Sequence, residues 1–170
     1  MLLAGDTWNQ CFDSMQSEAW RLETLPTYTM PQEAEKLSRF LSGENSPDDY
    51  QSGWMDEVAE WTAAGKHVGR VHIVKRPLSD YLRFEFEYYY RHHLRAGEDI
   101  RILDVTDKEN PLQSAQDFWM FDKSKVVLMN YRADGTQISR ELFDGDLAPY
   151  LEYQRIAIFA SVPFAEYLGS

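Results

Sequence analysis

The sequence has very little cysteine, and this shortage excludes two kinds of site. Cys11 is the only cysteine among the 170 residues. An internal disulfide needs two cysteines and a cysteine-based zinc cage needs several, so neither can form within this chain. Cys11 is predicted to be a small buried apolar residue, and so low a cysteine content is typical of proteins in a reducing compartment.

Basic residues are scarce relative to acidic ones. The chain has 17 lysines and arginines against 28 aspartates and glutamates, which gives a formal net charge of -11 and a pI near 4.7. Nucleic-acid binding requires a basic face that neutralises phosphates, so direct binding to DNA or RNA is not expected. The acidity suits a basic protein partner, and solubility alone explains it equally well.

Long apolar runs are missing as well. No run approaches the ~20 residues that a membrane-spanning helix needs. The N-terminus has no basic segment followed by an apolar stretch, so no secretion signal is predicted. We therefore expect a cytoplasmic protein with no membrane partner.

The overall amino-acid composition is that of a folded globular protein. Hydrophobic residues make up 44% and charged residues 26% of the sequence, which is ordinary for a globular protein. The length fits one domain over residues 1–170, with a helical N-terminal layer at 1–64 and an α/β core at 65–170. Aromatic residues are abundant at 14%, which indicates a core or a partner surface built on rings.

Residues 1–64 are predicted to form three helices. Apolar residues at three-to-four spacing predict the first helix within 5–22: Trp8, Cys11, Phe12, Met15, Ala19 and Leu22. Residues 21–25 alternate in polarity and fit a short strand equally well. Pro31 and Gly43 mark the ends of the second helix, whose buried stripe is predicted to be Ala34, Leu37, Phe40 and Leu41. The third helix is predicted at 51–64, with Trp54, Val58, Trp61 and Thr62 inward.

The remaining residues predict a domain of the α/β (α+β) class, in which the N-terminal helices pack with a mixed β-sheet. Alternating apolar runs predict five strands of one sheet, at 68–75, 99–105, 117–122, 126–131 and 136–142. The last three are expected to form an antiparallel meander, because an Asp-Gly turn signal stands at 134–135. A helix from about 79 to 95 is expected to pack on this sheet, with Ser79 as its N-cap and Gly97 at its end.

The helix at 79–95 has a broad aromatic face with Phe84 near its centre. A face this wide predicts burial on two sides. Four charged residues of the helix are predicted to face water: Glu85, Glu87, Arg91 and Arg95. Another helix is predicted at 148–160, with Leu151, Ile156 and Phe159 inward.

The sequence shows no recognisable catalytic or metal-binding motif. His92 and His93 are adjacent, so on a helix their side chains point about 100° apart, and with His67 and His72 they show no metal-ligand spacing. No Gly-x-Ser-x-Gly elbow is present, and the glycines are too scattered to form a phosphate-binding loop. No cofactor, metal or catalytic residue is predicted.

Seven residues near the ends of the predicted elements are the candidates for a binding site: Asp80, Tyr81, Arg83, Glu98, Arg101, Asp117 and Trp119. If the strands pair as predicted, several of these side chains converge at one end of the sheet. They then either line a ligand-binding cleft or form an ion-pair network that ties the helix to the sheet. Both interpretations stay open.

Five short motifs carry a resemblance to a known family. They are Arg21-Leu22-Glu23, Pro31-Gln32-Glu33-Ala34, Pro77-Leu78-Ser79-Asp80-Tyr81-Leu82-Arg83-Phe84-Glu85, Gly97-Glu98-Asp99-Ile100-Arg101 and Asp117-Phe118-Trp119-Met120-Phe121-Asp122. In this order, over nearly the whole chain, they resemble an actinobacterial family of domains of unknown function, typical of Streptomyces and its relatives. Genes of that family often stand beside helix-turn-helix regulators, so the resemblance implies a regulatory accessory role and no particular activity.

The order of elements is also similar to one half of a phospholipase D-type domain. In that superfamily a His-x-Lys pair begins the hairpin, and its histidine attacks a phosphodiester. The corresponding place here reads Gln116-Asp117-Phe118. The resemblance therefore implies the fold without the nucleophile or the phosphate clamp.

These observations favour a non-enzymatic regulatory or interaction module. The expected partner is a DNA-binding helix-turn-helix regulator, whose basic surface an acidic chain would attract. The alternatives are an enzyme or a small-ligand sensor that uses the charged residues at the sheet edge.

Overall fold

A seven-stranded mixed sheet forms the centre of the computed structural model, which describes residues 1–169. Its strands are β1 (Glu18–Glu23), β2 (His67–Val74), β3 (Asp99–Asp104), β4 (Phe118–Phe121), β5 (Lys125–Tyr131), β6 (Gln137–Leu142) and β7 (Val162–Pro163). They lie in the order β6-β5-β4-β1-β2-β3-β7. Strands β1, β2 and β3 are parallel, whereas β4, β5, β6 and β7 each pair antiparallel.

Helices cover both faces of this sheet. They are α1 (Asp6–Asp13), α2 (Ala34–Leu41, after a 3₁₀ turn at Pro31–Glu33), α3 (Gly53–Ala63), α4 (Asp80–Phe84), α5 (Arg91–Ala96), α6 (Ala148–Ala160) and α7 (Phe164–Leu168). A π-helical turn at Glu85–Tyr90 joins α4 to α5, so residues 80–96 form one continuous helix. Within residues 1–169, no helix is both long and apolar enough to cross a membrane.

All five predicted strands are confirmed and share one sheet, and the predicted meander is β4-β5-β6. The local signals at the helix ends are confirmed too. The Ser79 hydroxyl accepts a hydrogen bond from the Leu82 amide at 3.1 Å, and Gly97 ends the helix with φ at 106°. Gly135 in the Asp-Gly turn has φ at 88°, a conformation that glycine adopts without steric cost.

The first predicted helix was too long, because residues 18–23 form the central strand β1. Helix α1 ends at Asp13. Ala19 and Leu22 belong to opposite faces of β1, and neither is exposed to solvent. Both faces of β1 carry buried apolar residues, namely Ala19 on one and Trp20 and Leu22 on the other, and their spacing resembles the continuation of a helical stripe. Residues 1–64 therefore supply a strand as well as helices.

Glu85 was predicted to face water, and this was wrong, since it is only 6% exposed. It follows the buried Tyr81 by one helical turn, so the two side chains share the face that packs on the sheet. Its carboxylate lies 3.0 Å from the His72 ring of β2. The buried charge is thus compensated by a residue that is distant in the sequence.

One face of the sheet packs against α6 through an apolar cluster that includes Trp20, Leu22, Val71, Phe118 and Ala157. The predicted inward residues of α6 were partly wrong. Ile156 is half-buried, but Leu151 is 37% and Phe159 87% exposed. Helix α6 is apolar on several sides, so the spacing alone did not determine which side meets the sheet.

The other face carries two apolar clusters separated by a polar strip. One cluster joins α1 and α3 to strands β4 and β5, with Cys11, Trp119 and Phe121 among its residues. The other joins the helix at 80–96 and α7 to β2 and β3, with Phe86 and Ile102 among its residues. Between them the facing positions of β1 and β2 are charged, and this strip forms the floor of the candidate site.

The inward side chains of α3 were predicted correctly, since Trp54, Val58, Trp61 and Thr62 are all buried or half-buried. The stripe of α2 was only partly right. Leu37 and Phe40 are half-buried, but Ala34 and Leu41 are exposed. Helix α2 lies at the margin of the fold. One side of this short helix packs against a further apolar cluster, which consists of Tyr28, Tyr81 and Phe84.

Candidate functional site

A cleft of about 800 Å³ opens above the polar strip of β1 and β2. Its walls come from α1, α3, the helix at 80–96 and strands β4 to β6, and they are rich in aromatic rings, among them Trp8, Tyr28, Trp54, Tyr81, Trp119 and Tyr131. A concave site that combines apolar and aromatic walls with convergent polar groups is the usual form of a small-molecule site. This cleft is therefore the candidate functional site.

The strand register brings four ionisable residues onto the cleft floor. In the parallel pair β1 and β2, Arg21 lies opposite Arg70 and Glu23 opposite His72. Alternate residues of a strand point to the same face, so all four side chains share the cleft side of the sheet. Glu85, Glu98 and Asp117 contact them, and we call these seven residues the floor network.

Arg70 holds two carboxylates of the floor network together. Its Nη1 donates to Glu23 Oε1 at 2.8 Å, and its Nε donates to Glu98 Oε2 at 2.5 Å. All three residues are less than 9% exposed. Burial by itself raises the pKa of Glu23, but the charges of Arg21, His72 and Arg70 outweigh it and hold the pKa well below its usual range. Glu23 therefore stays ionised.

His72 lies between Glu23 and a further carboxylate, that of Glu85. Its Nε2 donates to the Leu25 carbonyl at 2.9 Å, so Nδ1 is directed toward Glu85 Oε1 at 3.0 Å and Glu23 Oε2 at 3.8 Å. Burial disfavours a charged imidazole, but the two carboxylates outweigh it and raise the pKa of His72 to about 9. His93, 3.6 Å from Glu98, differs, because burial lowers its pKa to about 4.

Arg21 marks a more cationic end of the cleft. Its Nη2 donates to the Tyr131 hydroxyl at 2.9 Å and lies 3.9 Å from Asp117 Oδ2. Arg140 lies on the same side, with its guanidinium 4.9 Å from the centre of the Trp8 ring. The Nε atoms of both arginines are buried and have no hydrogen-bond partner within the described residues 1–169. Two buried donors without acceptors are costly unless something else satisfies them.

Four of the seven residues predicted for the site lie at or beneath the cleft. Tyr81 and Trp119 line its walls. Glu98 lies at the edge of the Trp54 ring, whose Nε1 donates to it at 2.6 Å, and it is bound to Arg70. Asp117 accepts hydrogen bonds from the Thr24 amide and the Tyr28 hydroxyl. The structure thus contains both of the arrangements left open by the sequence, a cleft and a buried ion-pair network.

The other three predicted residues lie elsewhere. Asp80 and Arg83 are exposed and form an ion pair with each other at 3.4 Å, one turn apart on the helix. Arg101 of β3 points to the opposite face of the sheet, where its Nε donates to the Ser161 hydroxyl at 2.9 Å. These three residues are not brought to the cleft.

Sequence reasoning missed most of the floor network, namely Arg21, Glu23, Arg70, His72 and Glu85. A signal was present, because Arg21 with Glu23 and Arg70 with His72 are charged pairs at alternate positions of otherwise apolar strands. A charge that recurs with the two-residue period of a buried strand indicates a polar site on one face of the sheet.

Comparison with solved structures supports the fold described above. A phospholipase D family member, Nuc from Salmonella typhimurium, superposes with a TM-score of 0.50 and 13% sequence identity, over 91% of this chain and 86% of that chain. At this level of identity the likeness shows a shared fold and nothing more. Comparison with curated proteins gives no match.

The family itself is established by the sequence. The model of a domain of unknown function, DUF6879, matches residues 6–169. The match includes β1, all strands of the meander and every residue of the floor network. The chain therefore belongs to the DUF6879 family.

Proposed function

We propose that this protein is a regulatory module whose cleft binds a small aromatic anion. One observation carries the proposal. The buried guanidinium Nε donors of Arg21 and Arg140, at the more cationic end of the cleft, have no hydrogen-bond partner in the part of the chain that the structure describes. A carboxylate or similar anionic group would satisfy them, because arginine donors match carboxylate oxygens well. The surrounding rings would hold the apolar body of the ligand.

The neighbouring rings support this choice of ligand. The Arg21 guanidinium lies 5.8 Å from the centre of the Trp119 ring, and Arg140 lies over Trp8. The ligand would extend from these two cations along the aromatic walls toward Tyr81. Acidic groups such as Glu33 and Glu57 also line the cleft and would repel an anion, so its charged group would bind at the two arginines.

Aromatic carboxylates are expected to bind in the cleft, and replacing Arg140 with glutamine should weaken binding by about tenfold or more. A charge-assisted hydrogen bond contributes roughly 1.5–3 kcal/mol, which corresponds to at least one decade of affinity. The probes are benzoate, indole-3-carboxylate and naphthalene-2-carboxylate. Binding is measured by calorimetry and by quenching of the fluorescence of Trp8 and Trp119.

The matched controls are the amides of the same three probes and the variant Arg132→Gln. The amides keep the ring and lose the charge. Arg132 is an exposed arginine beyond the cleft, in the turn between β5 and β6. Saturable binding of the amides at equal affinity, or no saturable binding of any of the three carboxylates, would contradict the proposed ligand class.

We further propose that this module is an accessory partner of a DNA-binding helix-turn-helix regulator in the cytoplasm of an actinobacterium. The family resemblance and the net charge of -11 support this. A docking face of suitable chemistry is exposed on α6. Phe159 is 87% and Ile158 37% exposed at the end of α6, and the exposed acidic residue Glu152 lies two turns before Phe159 on the same helix. This surface would suit a basic partner with an apolar pocket.

The purified protein is expected to cause no mobility shift of duplex DNA, but to change the shift caused by its cognate helix-turn-helix regulator. The gel shift is run at ~50 and ~200 mM salt, because electrostatic binding weakens steeply over that range. Phe159→Ser should abolish the effect on the regulator. It should leave ligand binding in the cleft unchanged, because Phe159 is not among the residues that line the cleft. Salt-sensitive DNA binding by this protein alone, or a regulator indifferent to its presence, would contradict the proposal.

A further inference from the structure

Three buried side chains of the floor network converge from three different elements. One nitrogen or oxygen atom each of Glu23 (β1), His72 (β2) and Glu85 (the π-helical turn) lies within 4.8 Å of the others. His72 Nδ1 is 3.0 Å from Glu85 Oε1 and 3.8 Å from Glu23 Oε2. Two ligands that each lie about 2.1 Å from one ion are about 3–4 Å apart. Both distances from His72 fall in that range.

The imidazole is held as a metal ligand would be. Its Nε2 donates to the Leu25 carbonyl, and a ligating histidine almost always gives its second N–H to a carbonyl or carboxylate in this way. Glu23 is oriented similarly, because its Oε1 accepts from both Arg70 and the Tyr90 hydroxyl at 2.8 Å. Glu23 Oε2 is left directed toward His72. The Tyr90 hydroxyl, 3.1 Å from Nδ1, completes the outer ring of polar contacts.

Glu85 supplies an independent sign of a missing ligand. Among residues 1–169, its Oε1 is buried and has no partner that meets hydrogen-bond geometry, although it forms an ion pair with His72 Nδ1 at 3.0 Å. Nδ1 also lies 3.1 Å from the Tyr90 hydroxyl, and one ring N–H cannot be aligned with both oxygens. A buried carboxylate oxygen that accepts no hydrogen bond is costly, and a π-helical turn, which carries Glu85 here, is found frequently at functional sites.

The excess of carboxylates in the floor network also favours a bound cation. Four carboxylates (Glu23, Glu85, Glu98 and Asp117) face two guanidinium groups (Arg21 and Arg70) and the imidazole of His72. A divalent cation bound among these carboxylates would offset part of their negative charge, which is favourable for buried groups.

We propose that Glu23, His72 and Glu85 bind one divalent first-row transition-metal ion at the floor of the cleft. One imidazole nitrogen with two carboxylate oxygens favours Mn²⁺, Fe²⁺, Co²⁺ or Zn²⁺ over Mg²⁺ and Ca²⁺, which prefer oxygen ligands alone. The ion would enter from the cleft, which Glu23 and Glu85 line. This inference does not depend on the organic ligand proposed above, and the two are tested with separate probes.

The test uses the chelator-treated wild-type protein with Co²⁺ and Zn²⁺ as probes. One equivalent of Co²⁺ should produce a visible absorption that Zn²⁺ displaces, and Zn²⁺ should raise the melting temperature. Glu85→Gln and His72→Gln should each weaken binding by more than the roughly 10- to 100-fold that losing an outer-shell partner costs. His67→Gln is the matched control, because His67 is a partly exposed β2 histidine bound to Glu18 and Asp99.

A second measurement covers the case in which a variant does not fold, as judged by circular dichroism. Paramagnetic Co²⁺ should shift the imidazole resonances of His72 in the wild-type protein and leave those of His67 in place. No stoichiometric binding to the folded wild type would overturn the proposal. So would shifts at His67 without shifts at His72, or folded Glu85→Gln and His72→Gln variants that bind as tightly as the wild type.

Discussion

Replacing Arg70 with methionine is expected to lower the free energy of unfolding by about 3–5 kcal/mol. Methionine preserves much of the side-chain volume but removes the charge and every donor. Glu23 and Glu98 would then be left as buried carboxylates without their shared counter-charge, since both receive hydrogen bonds from Arg70. Neither is more than 3% exposed, so water cannot replace the guanidinium. Urea denaturation followed by circular dichroism measures the loss.

Two further variants test the cause of that loss. The triple variant Arg70→Met, Glu23→Gln and Glu98→Gln should recover much of it, because the buried charges disappear together. Arg155→Met removes a partner of Glu152 on the surface of α6 and should leave the denaturation midpoint unchanged, because solvent screens such pairs. A loss for Arg70→Met no larger than that of Arg155→Met would mean that the floor network contributes little to folding.

Replacing Phe84 with alanine is expected to cost about 3–5 kcal/mol of unfolding free energy, the usual range for a fully buried phenylalanine. Phe84 has no exposed surface. Its ring contacts those of Phe40, Tyr81, Tyr88 and Tyr89 at centroid distances of 5.1 to 5.9 Å. The variant would leave a cavity between α2 and the helix at 80–96, which these rigid rings cannot fill.

The control for Phe84 is Phe159→Ala, which removes the same ring from a position that is 87% exposed. Its effect on stability should stay within about 0.5 kcal/mol, as for most surface substitutions. Both variants are compared by denaturant melts at several salt concentrations. The loss for Phe84→Ala should be insensitive to salt because it is a packing effect. A loss below about 1 kcal/mol would show that the ring is not part of the core.

The elements that the sequence predicted well are those with local signals. Strands β2 to β6 follow from short apolar runs, alternating in some strands and continuous in others, and the β5-β6 turn follows from the Asp-Gly pair at 134–135. The Ser79 cap and the Gly97 stop depend on residues within one turn of the helix end. In each case the interaction that fixes the structure spans a few residues, so the sequence pattern contains it.

The wrong predictions share a different cause. Strand β1 and helix α6 are apolar in more than one direction, so their periodicity did not determine the type of element or its buried side. Glu85 was predicted to face water because glutamate is usually exposed. In the structure it is buried and forms an ion pair with His72. Burial of these residues depends on partners from other strands and helices, which no local pattern reveals.

The sequence by itself determined the strands of the meander, the broad aromatic helix, the acidic surface and the lack of disulfide chemistry. Of the seven residues that the sequence proposed for a site, Tyr81 and Trp119 line the cleft, and Glu98 and Asp117 lie beneath it. Only the tertiary structure placed β1 at the centre of the sheet and set its register against β2. That register pairs Arg70 with Glu23, 47 positions apart. Because a parallel pair is joined through a long crossover connection, its register is fixed by packing of the whole domain and not by any turn between the strands.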